Sequence, residues 1–473
     1  MPAYQLPSDY KNPPLMAIGD SMYQGVRSLT MSAPLFRQSP PAQVARALGL
    51  GPAVFAGPDP ERPILIDMEA FIRLLPDLSA INDQVAKNAA YWTRTPLSPS
   101  GRLTFENAAV ASMDITDLYD FDWDLRMRQA DALTVATASS LRALATAKIP
   151  DGSIGDAILG LNARYTLNPA GRSDLEGIQP VDLVKIREPE TLLVNIGSNE
   201  GLFHAGFEAQ AALTEDSVRE ITKKYEKLAG HLREVGPGTR RMVFNTLVLP
   251  SQVPNLMPAP ESVTYDGIPP GPDGYFDLYE NRMGFGYGTL TGAQMKQQDK
   301  LVRALNATMI EVMRRELGDR AVFVDLAEQM AHLDRKHQGL TKTNAIKVVR
   351  RRWGIFPDTS YITNMMLEEG LGNAFKWGGF CGLDGMHPSV VGYGKIANEV
   401  LTAMGATGRR VTYNRCFRED TLLSDLPWLW TELMFLYRDY RKLKSRLKDK
   451  SDQVKVETLS VAALTAPSSK GMA

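Results

Sequence analysis

The segment "LMAIGDSMYQGV", residues 15–26, places four apolar residues directly before Gly19, Asp20 and Ser21. A short apolar run of this kind is typical of a strand that is buried on both faces of a parallel sheet. Ser21 follows the run where a helix can begin, so it is either a nucleophile displayed at a strand-to-helix turn or an ordinary helix cap. The tripeptide alone does not decide between them, because Ser and Asp are both common at helix starts.

Further apolar runs predict three more strands, at 191–196, 241–249 and 321–326. Between them, in 217–236 and 300–317, apolar residues recur at spacings of three and four, which is the pattern of an amphipathic helix. Alternation of strands and helices predicts an α/β fold with helices on both faces of a parallel sheet.

Two long insertions interrupt this alternation. The first, at about 114–185, contains an Ala-rich helix predicted over 130–148 and a polar loop, and the second, at about 250–298, is rich in Pro, Gly, Tyr and Met. Loops of this length are uncommon unless they line a site or close over one, so we expect cap or lid segments. The main domain is predicted to span 1–407, and 408–473 to form a C-terminal amphipathic helix and a disordered tail.

The composition excludes several classes of protein. The 473 residues are 44% hydrophobic and 23% charged, which is ordinary for a soluble chain with a full core. A net charge of −1 attracts no nucleic acid, and two cysteines form neither a disulfide framework nor a zinc cluster. With no signal peptide, no long apolar run and no metal or dinucleotide motif, we expect a cytoplasmic protein without a cofactor.

One histidine stands out among five. His387 lies in a Gly-rich turn three residues after Asp384, and such a turn can place the carboxylate on one imidazole nitrogen and leave the other facing outward. The alternative is that Asp384 only shapes the turn. His231, His332 and His337 lie in helical or charged surroundings and are expected to be solvated.

The order of the motifs favours chemistry over capping. After Ser21 come "FENAAVASMD" at 105–114, "NIGSNEGL" at 195–202, and the Asp-x-x-His turn at 384–387, each at the end of a predicted strand or the start of a helix. In this order the chain resembles the SGNH, or GDSL, hydrolases over roughly 15–405, and the resemblance rests on four blocks rather than on one tripeptide.

The resemblance implies a three-layer αβα sandwich with a flavodoxin-like parallel sheet. It also implies that Ser21 is the nucleophile, His387 the general base and acid, and Asp384 the orienting carboxylate. The oxyanion hole of such enzymes uses the backbone N–H of the nucleophile, a second-block backbone N–H, which falls on Ser112, and a third-block amide side chain, which falls on Asn199.

Two positions depart from the family pattern. Ser112 stands where the family has glycine, five residues after Asn107; it still supplies a backbone N–H, but its side chain restricts the backbone angles that glycine could adopt there. Glu200 replaces the Asp that follows Asn199, and we expect it to keep a supporting role.

The resemblance implies a serine hydrolase that acts on carboxylic esters, with a small-molecule or lipid-like ester as substrate. Two alternatives are a carbohydrate O-acetyl esterase of the same family and a catalytically idle binding or scaffold protein. The basic helix predicted at 424–450 has three open roles: it packs on the catalytic domain, it joins two subunits, or it contacts a membrane surface.

Overall fold

The computed structural model describes residues 6–74, 77–258, 270–281, 288–334, 337, 380–382, 384–406 and 408–421. Seven strands lie in these ranges: β1 (Met16–Gly19), β2 (Thr191–Asn195), β3 (Arg241–Asn245), β4 (Leu256–Pro258), β5 (Leu278–Asn281), β6 (Thr289–Thr291) and β7 (Ala321–Val324). β1, β2, β3 and β7 form one parallel sheet in that order, and β4, β5 and β6 form a small antiparallel sheet. Every predicted strand is therefore present in the parallel sheet.

The described helices follow in chain order. They are α1 (Ser21–Gln24), α2 (Ala33–Phe36), α3 (Pro40–Leu48), α4 (Met68–Leu74), α5 (Leu78–Thr93), α6 (Trp123–Asp131), α7 (Leu141–Ala145), α8 (Ile154–Leu167), α9 (Pro180–Arg187), α10 (Leu202–Glu208), α11 (Glu215–Arg233), α12 (Gly292–Leu317), α13 (Leu326–Leu333), α14 (Val390–Ala403) and α15 (Tyr413–Glu419). Single 3₁₀ turns lie at Ser8–Tyr10, Thr116–Leu118, Ser173–Leu175, Pro250–Gln252 and Gly318–Arg320.

Helices cover both faces of the parallel sheet. Alternate strand residues point to opposite sides, so Leu192 and Val194 pack in a core with α9, α11 and α12, whereas Leu193 packs in a second core with α3, α13 and α14. The fold is therefore α/β, as predicted, and compatible with a three-layer sandwich.

The third strand is shorter than its apolar run, which extends to residue 249. β3 ends at Asn245; the Thr246 N–H still donates to the Val324 carbonyl of β7 at 2.9 Å, but Leu247 takes its backbone partners from a helix instead of a strand. The Asn306 side chain of α12 accepts a hydrogen bond from the Leu247 N–H at 2.8 Å and donates to the Leu247 carbonyl at 2.8 Å. Apolarity identified the buried segment but not the residue at which the strand ends.

The Ala-rich segment 130–148 is not one helix, so that prediction is wrong. α6 ends at Asp131 and α7 begins only at Leu141, and between them hydroxyl groups compete for the backbone. Thr137 Oγ accepts from the Thr134 N–H at 2.8 Å and donates to the Thr134 carbonyl, while Ser140 caps α7. The polar loop predicted after it is largely helical, because α8 and α9 lie there.

The second insertion forms structure of its own. β4, β5 and β6 enclose a small apolar core that includes Phe276, Tyr279 and Leu290. Residues 259–269 and 282–287 of this insertion lie outside the described residues. The insertion is therefore a small subdomain beside the parallel sheet and not a plain loop.

The folded domain continues past the predicted boundary at residue 407. α15 packs against α14, and both Cys416 and Phe417 are buried in the core beneath α3. Asp420 is fully buried. The basic segment 424–450 lies outside the described residues, and in the part of the chain that is described no helix is long and apolar enough to cross a bilayer.

Candidate active site

The turn that follows β1 places Ser21 at the carboxyl end of the parallel sheet. Gly19 has a φ of +142°, and a Cβ added there would lie 2.0 Å from the carbonyl oxygen of Asn195, so only glycine fits. Asp20 is the N-cap of α1 and accepts from the Met22 N–H at 3.1 Å. Ser21 is thus the first helical residue and not the cap, which leaves its hydroxyl available for another partner.

That partner is His387, which lies 366 residues away in sequence. The Nε2 atom of His387 lies 2.9 Å from Ser21 Oγ, and its Nδ1 atom lies 2.7 Å from Asp384 Oδ2. If Nδ1–H donates to the carboxylate, Nε2 carries a lone pair that accepts the Ser21 proton. The structure thus joins the three residues that the sequence singled out for the catalytic site in one hydrogen-bonded chain.

Backbone donors fix the Asp384 carboxylate. Its Oδ1 accepts from the N–H groups of Met386 at 3.0 Å and His387 at 2.9 Å, and its Oδ2 also accepts from the Leu29 N–H at 2.9 Å. With only 6% of Asp384 exposed, these bonds replace the water that the carboxylate gives up on burial.

Burial and pairing act in opposite directions on the two titratable groups. Burial favours neutral Asp384, but the charge of His387 and the hydrogen bonds that the carboxylate accepts outweigh it and hold the pKa of Asp384 below its ordinary value. Burial likewise favours neutral His387, but the Asp384 charge raises the pKa of His387 above its ordinary value. Asp384 therefore stays ionised and stabilises a protonated His387, as a general base requires.

The second- and third-block residues are held together beside Ser21. The Asn199 side chain follows β2 and donates from Nδ2 to the Met113 carbonyl at 2.8 Å, next to Ser112. Glu200 Oε1 accepts from the Ile115 N–H at 3.2 Å, so its longer side chain still supports the second-block turn. Ser112 itself is exposed and has a φ of +71°, a left-handed conformation that glycine adopts more readily than serine.

Several N–H groups at the carboxyl end of the parallel sheet are available to donate a hydrogen bond to a substrate. In the part of the chain that the structure describes, the backbone N–H groups of Ser21 and Ser112 have no protein acceptor, and one of the two Asn199 side-chain protons is left after the bond to Met113. Neutral, fixed donors of this kind suit an oxygen that becomes negatively charged during a reaction.

A polar network beneath Ser21 was missed from the sequence. Asp20 Oδ1 accepts from Asn195 Nδ2 at 2.8 Å, and Asn195 Oδ1 accepts from Asn245 Nδ2 at 2.9 Å. Because Asp20 is fully buried, its pKa rises to about 6. The signal was present: Asn195 and Asn245 interrupt two otherwise apolar runs, where a buried amide needs a partner.

His337 corrects one expectation. It was expected to be solvated, but its side chain is only 15% exposed, because Asp334 Oδ2 lies 2.6 Å from Nδ1 and the Tyr279 hydroxyl lies 3.0 Å from Nε2. His231 stacks on Tyr119, whereas His332 is half-exposed on the surface. Among the described residues no group of His, Cys, Asp and Glu has the geometry of a metal site.

Comparison with family models, with curated proteins and with solved structures finds no match to this chain.

Proposed function

We propose that this protein is a serine hydrolase of the SGNH, or GDSL, type that cleaves carboxylic esters. The observation that carries the proposal is the hydrogen-bonded chain from Ser21 Oγ through His387 to Asp384. Nucleophile, base and orienting acid stand within hydrogen-bond reach of one another, which is the arrangement that activates a serine.

In the proposed reaction, Ser21 Oγ attacks the acyl carbonyl while His387 Nε2 takes its proton. The resulting tetrahedral oxyanion collapses, the C–O bond to the alcohol breaks, and His387 returns the proton to the leaving oxygen. Water then repeats these steps on the acyl-serine with His387 as base, which releases the acid and regenerates Ser21. Asp384 stays ionised throughout and stabilises the imidazolium.

Three donors support the oxyanion in this proposal: the backbone N–H groups of Ser21 and Ser112 and the remaining N–H of Asn199. Ser21 follows β1 and Asn199 follows β2, while Ser112 follows a segment whose Val110 N–H donates to the Gly19 carbonyl of β1. The bond from Asn199 to Met113 fixes two of these loops against each other. The first turn of α1 adds the positive end of a short helix dipole.

The position of the second insertion favours an ester substrate with a large acyl or alcohol group. Asn255, directly before β4, donates its N–H to the Gly385 carbonyl at 3.1 Å, so this subdomain touches the turn that holds Asp384 and His387. A subdomain against the acid–base turn is well placed to line the approach to Ser21.

The test is hydrolysis of p-nitrophenyl esters from acetyl to palmitoyl, with Ser21→Ala and His387→Ala as controls. We expect turnover in the wild type and a loss of about 10⁴–10⁶-fold in kcat in either variant. A preference for long chains supports a lipid-like substrate, and activity on acetyl esters alone supports the O-acetyl esterase alternative. Substantial turnover in Ser21→Ala, or no reaction of the wild type with esters and fluorophosphonate probes, refutes the proposal.

A further inference from the structure

A strained turn lies between Ser21 and the Asp384 loop. Arg27 and Thr30 pair through both of their backbone groups, and the two central residues, Ser28 and Leu29, have φ values of +53° and +55°. Positive φ at both central positions is the conformation of a type I′ turn, which Gly and Asn adopt far more readily than Ser and Leu. Such strain persists only where surrounding contacts hold the turn.

This turn contacts Asp384, the carboxylate that pairs with His387. The Leu29 N–H that donates to Asp384 Oδ2 at 2.9 Å meets the same oxygen that receives His387 Nδ1. A Cβ added to Gly382 would lie 2.7 Å from Arg27 Cγ, so the loop and the turn are in close contact. A shift of the turn would therefore move a donor on the carboxylate that orients His387.

Arg27 is the anchor of the turn. Its guanidinium, with 1% of the residue exposed, forms two bonds to Glu69, from Nε at 2.7 Å and from Nη2 at 2.8 Å, and a third from Nη1 to Asp420 at 2.6 Å. Both carboxylates are buried as well, and Asp420 is 393 residues away in sequence. A buried guanidinium with three charged hydrogen bonds fixes the Arg27 side chain and, through it, the backbone of the turn.

Asp420 also holds the other side of the site. Its second oxygen, Oδ2, accepts from the Val390 N–H at 3.0 Å, in the first turn of α14 and three residues after His387. Tyr393 of the same helix donates its hydroxyl to the Val26 carbonyl, beside Arg27. One carboxylate from the C-terminal segment thus contacts the turn that supports Asp384 and the helix that follows His387.

We propose that Arg27 and Asp420 are positioning residues for the Asp384–His387 pair, so that the C-terminal segment 409–421 completes the active site. The proposal rests on the hydrolase function proposed above. Neither side chain contacts the reacting atoms; their effect is transmitted through the Leu29 N–H and through the start of α14. Loss of the Asp420 contacts frees the strained turn to relax away from Asp384.

The experiment compares three single substitutions. Asp420→Asn keeps the size of the side chain, but its amide cannot accept from both Arg27 and Val390, and Glu69→Gln weakens the other half of the Arg27 fork. Glu419→Gln is the matched control, because Glu419 is the neighbouring carboxylate in the same segment and pairs with arginines at the partly exposed surface. Thermal unfolding verifies that each variant is folded.

We expect Asp420→Asn and Glu69→Gln to lower kcat on p-nitrophenyl acetate by about 10- to 100-fold with little change in KM, because misplacing a catalytic group by about an ångström has an effect of this size. In the proton NMR spectrum, the far-downfield signal of His387 Nδ1–H, assigned by its loss in His387→Ala, should weaken or shift in both variants. Glu419→Gln should match the wild type in both measurements.

The outcomes separate this inference from the proposed function. If the wild type hydrolyses the ester and folded Asp420→Asn behaves like Glu419→Gln, the positioning role is wrong. If Asp420→Asn does not fold, Glu69→Gln decides in the same way. If the wild type hydrolyses no ester, the proposed function fails, and the NMR signal still decides whether Asp420 holds the Asp384–His387 bond: an unchanged signal in folded Asp420→Asn, or in Glu69→Gln if that variant alone folds, overturns the inference.

Discussion

Ser112 offers a prediction in which stability and activity are expected to move independently. Its φ of +71° is a left-handed conformation that strains a residue with a Cβ by roughly 1–2 kcal/mol. Glycine avoids this strain, but its greater chain entropy in the unfolded state lowers the stability of the folded protein by about 0.5–1 kcal/mol. The free energy of unfolding of Ser112→Gly should therefore exceed that of Ser112→Ala by between about 0 and 1.5 kcal/mol.

The sign of this difference is diagnostic. At a position with ordinary φ, the glycine variant is the less stable one by about 0.5–1 kcal/mol. The alanine variant serves as the matched control because it removes the hydroxyl and keeps the Cβ. Denaturant unfolding of both variants measures the difference, and a glycine variant clearly less stable than the alanine variant contradicts the strain argument.

Activity should not depend on the side chain at position 112, since only the backbone N–H of Ser112 is assigned to the oxyanion. Both variants keep that N–H, so kcat on a short p-nitrophenyl ester should be retained in each, and the glycine variant should accept bulkier acyl groups. If both variants fold and both lose turnover, the Ser112 hydroxyl has a chemical role and the assignment of the backbone N–H is wrong.

Three further predictions concern other parts of the site. Asn199→Ala should lower kcat by about 10²–10³ with little change in KM, because its N–H acts mainly in the transition state; a raised KM at constant kcat would make it a substrate-binding residue. Folded Asp20 holds its proton up to about pH 6 but unfolded Asp20 releases it near pH 3.8, so this group removes about 3 kcal/mol of stability as pH rises through that window. Urea unfolding of Asp20→Asn at pH 4 and pH 7 should lack that loss, and a pH dependence equal to that of the wild type would contradict it. Truncation after Thr421 should leave turnover of soluble short esters intact while it changes the mass in solution or the binding to anionic vesicles; failure of the truncated chain to fold would place the tail in the core.

Local apolar patterns were sufficient to predict the parallel sheet, whereas the candidate site residues came from the order of four motifs along the chain. β2 lies within its predicted run because its central residues, Leu192–Val194, are buried on both faces of the sheet and are therefore all apolar. Ser21 and Asn199 could be expected near each other because the carboxyl ends of neighbouring parallel strands meet at one edge. The prediction of a single Ala-rich helix over 130–148 was wrong because composition does not show where hydroxyl side chains, such as that of Thr137, compete for backbone hydrogen bonds.

Contacts between distant buried charges escape prediction for a different reason. In sequence, Arg27 and Asp420 resemble ordinary surface charges, since such residues are rarely buried unless they are paired. Their pairing depends on the fold bringing together segments 393 residues apart, which no local periodicity encodes. The same long-range pairing explains why the domain extends past the predicted boundary at residue 407. α15 is short and has no strong apolar pattern, and the end of its segment is held by the buried ion pair between Asp420 and Arg27. Removing Arg27 leaves the carboxylates of Glu69 and Asp420 buried without their counter-charge, so we expect the segment and the turn to unfold together and not as separate units.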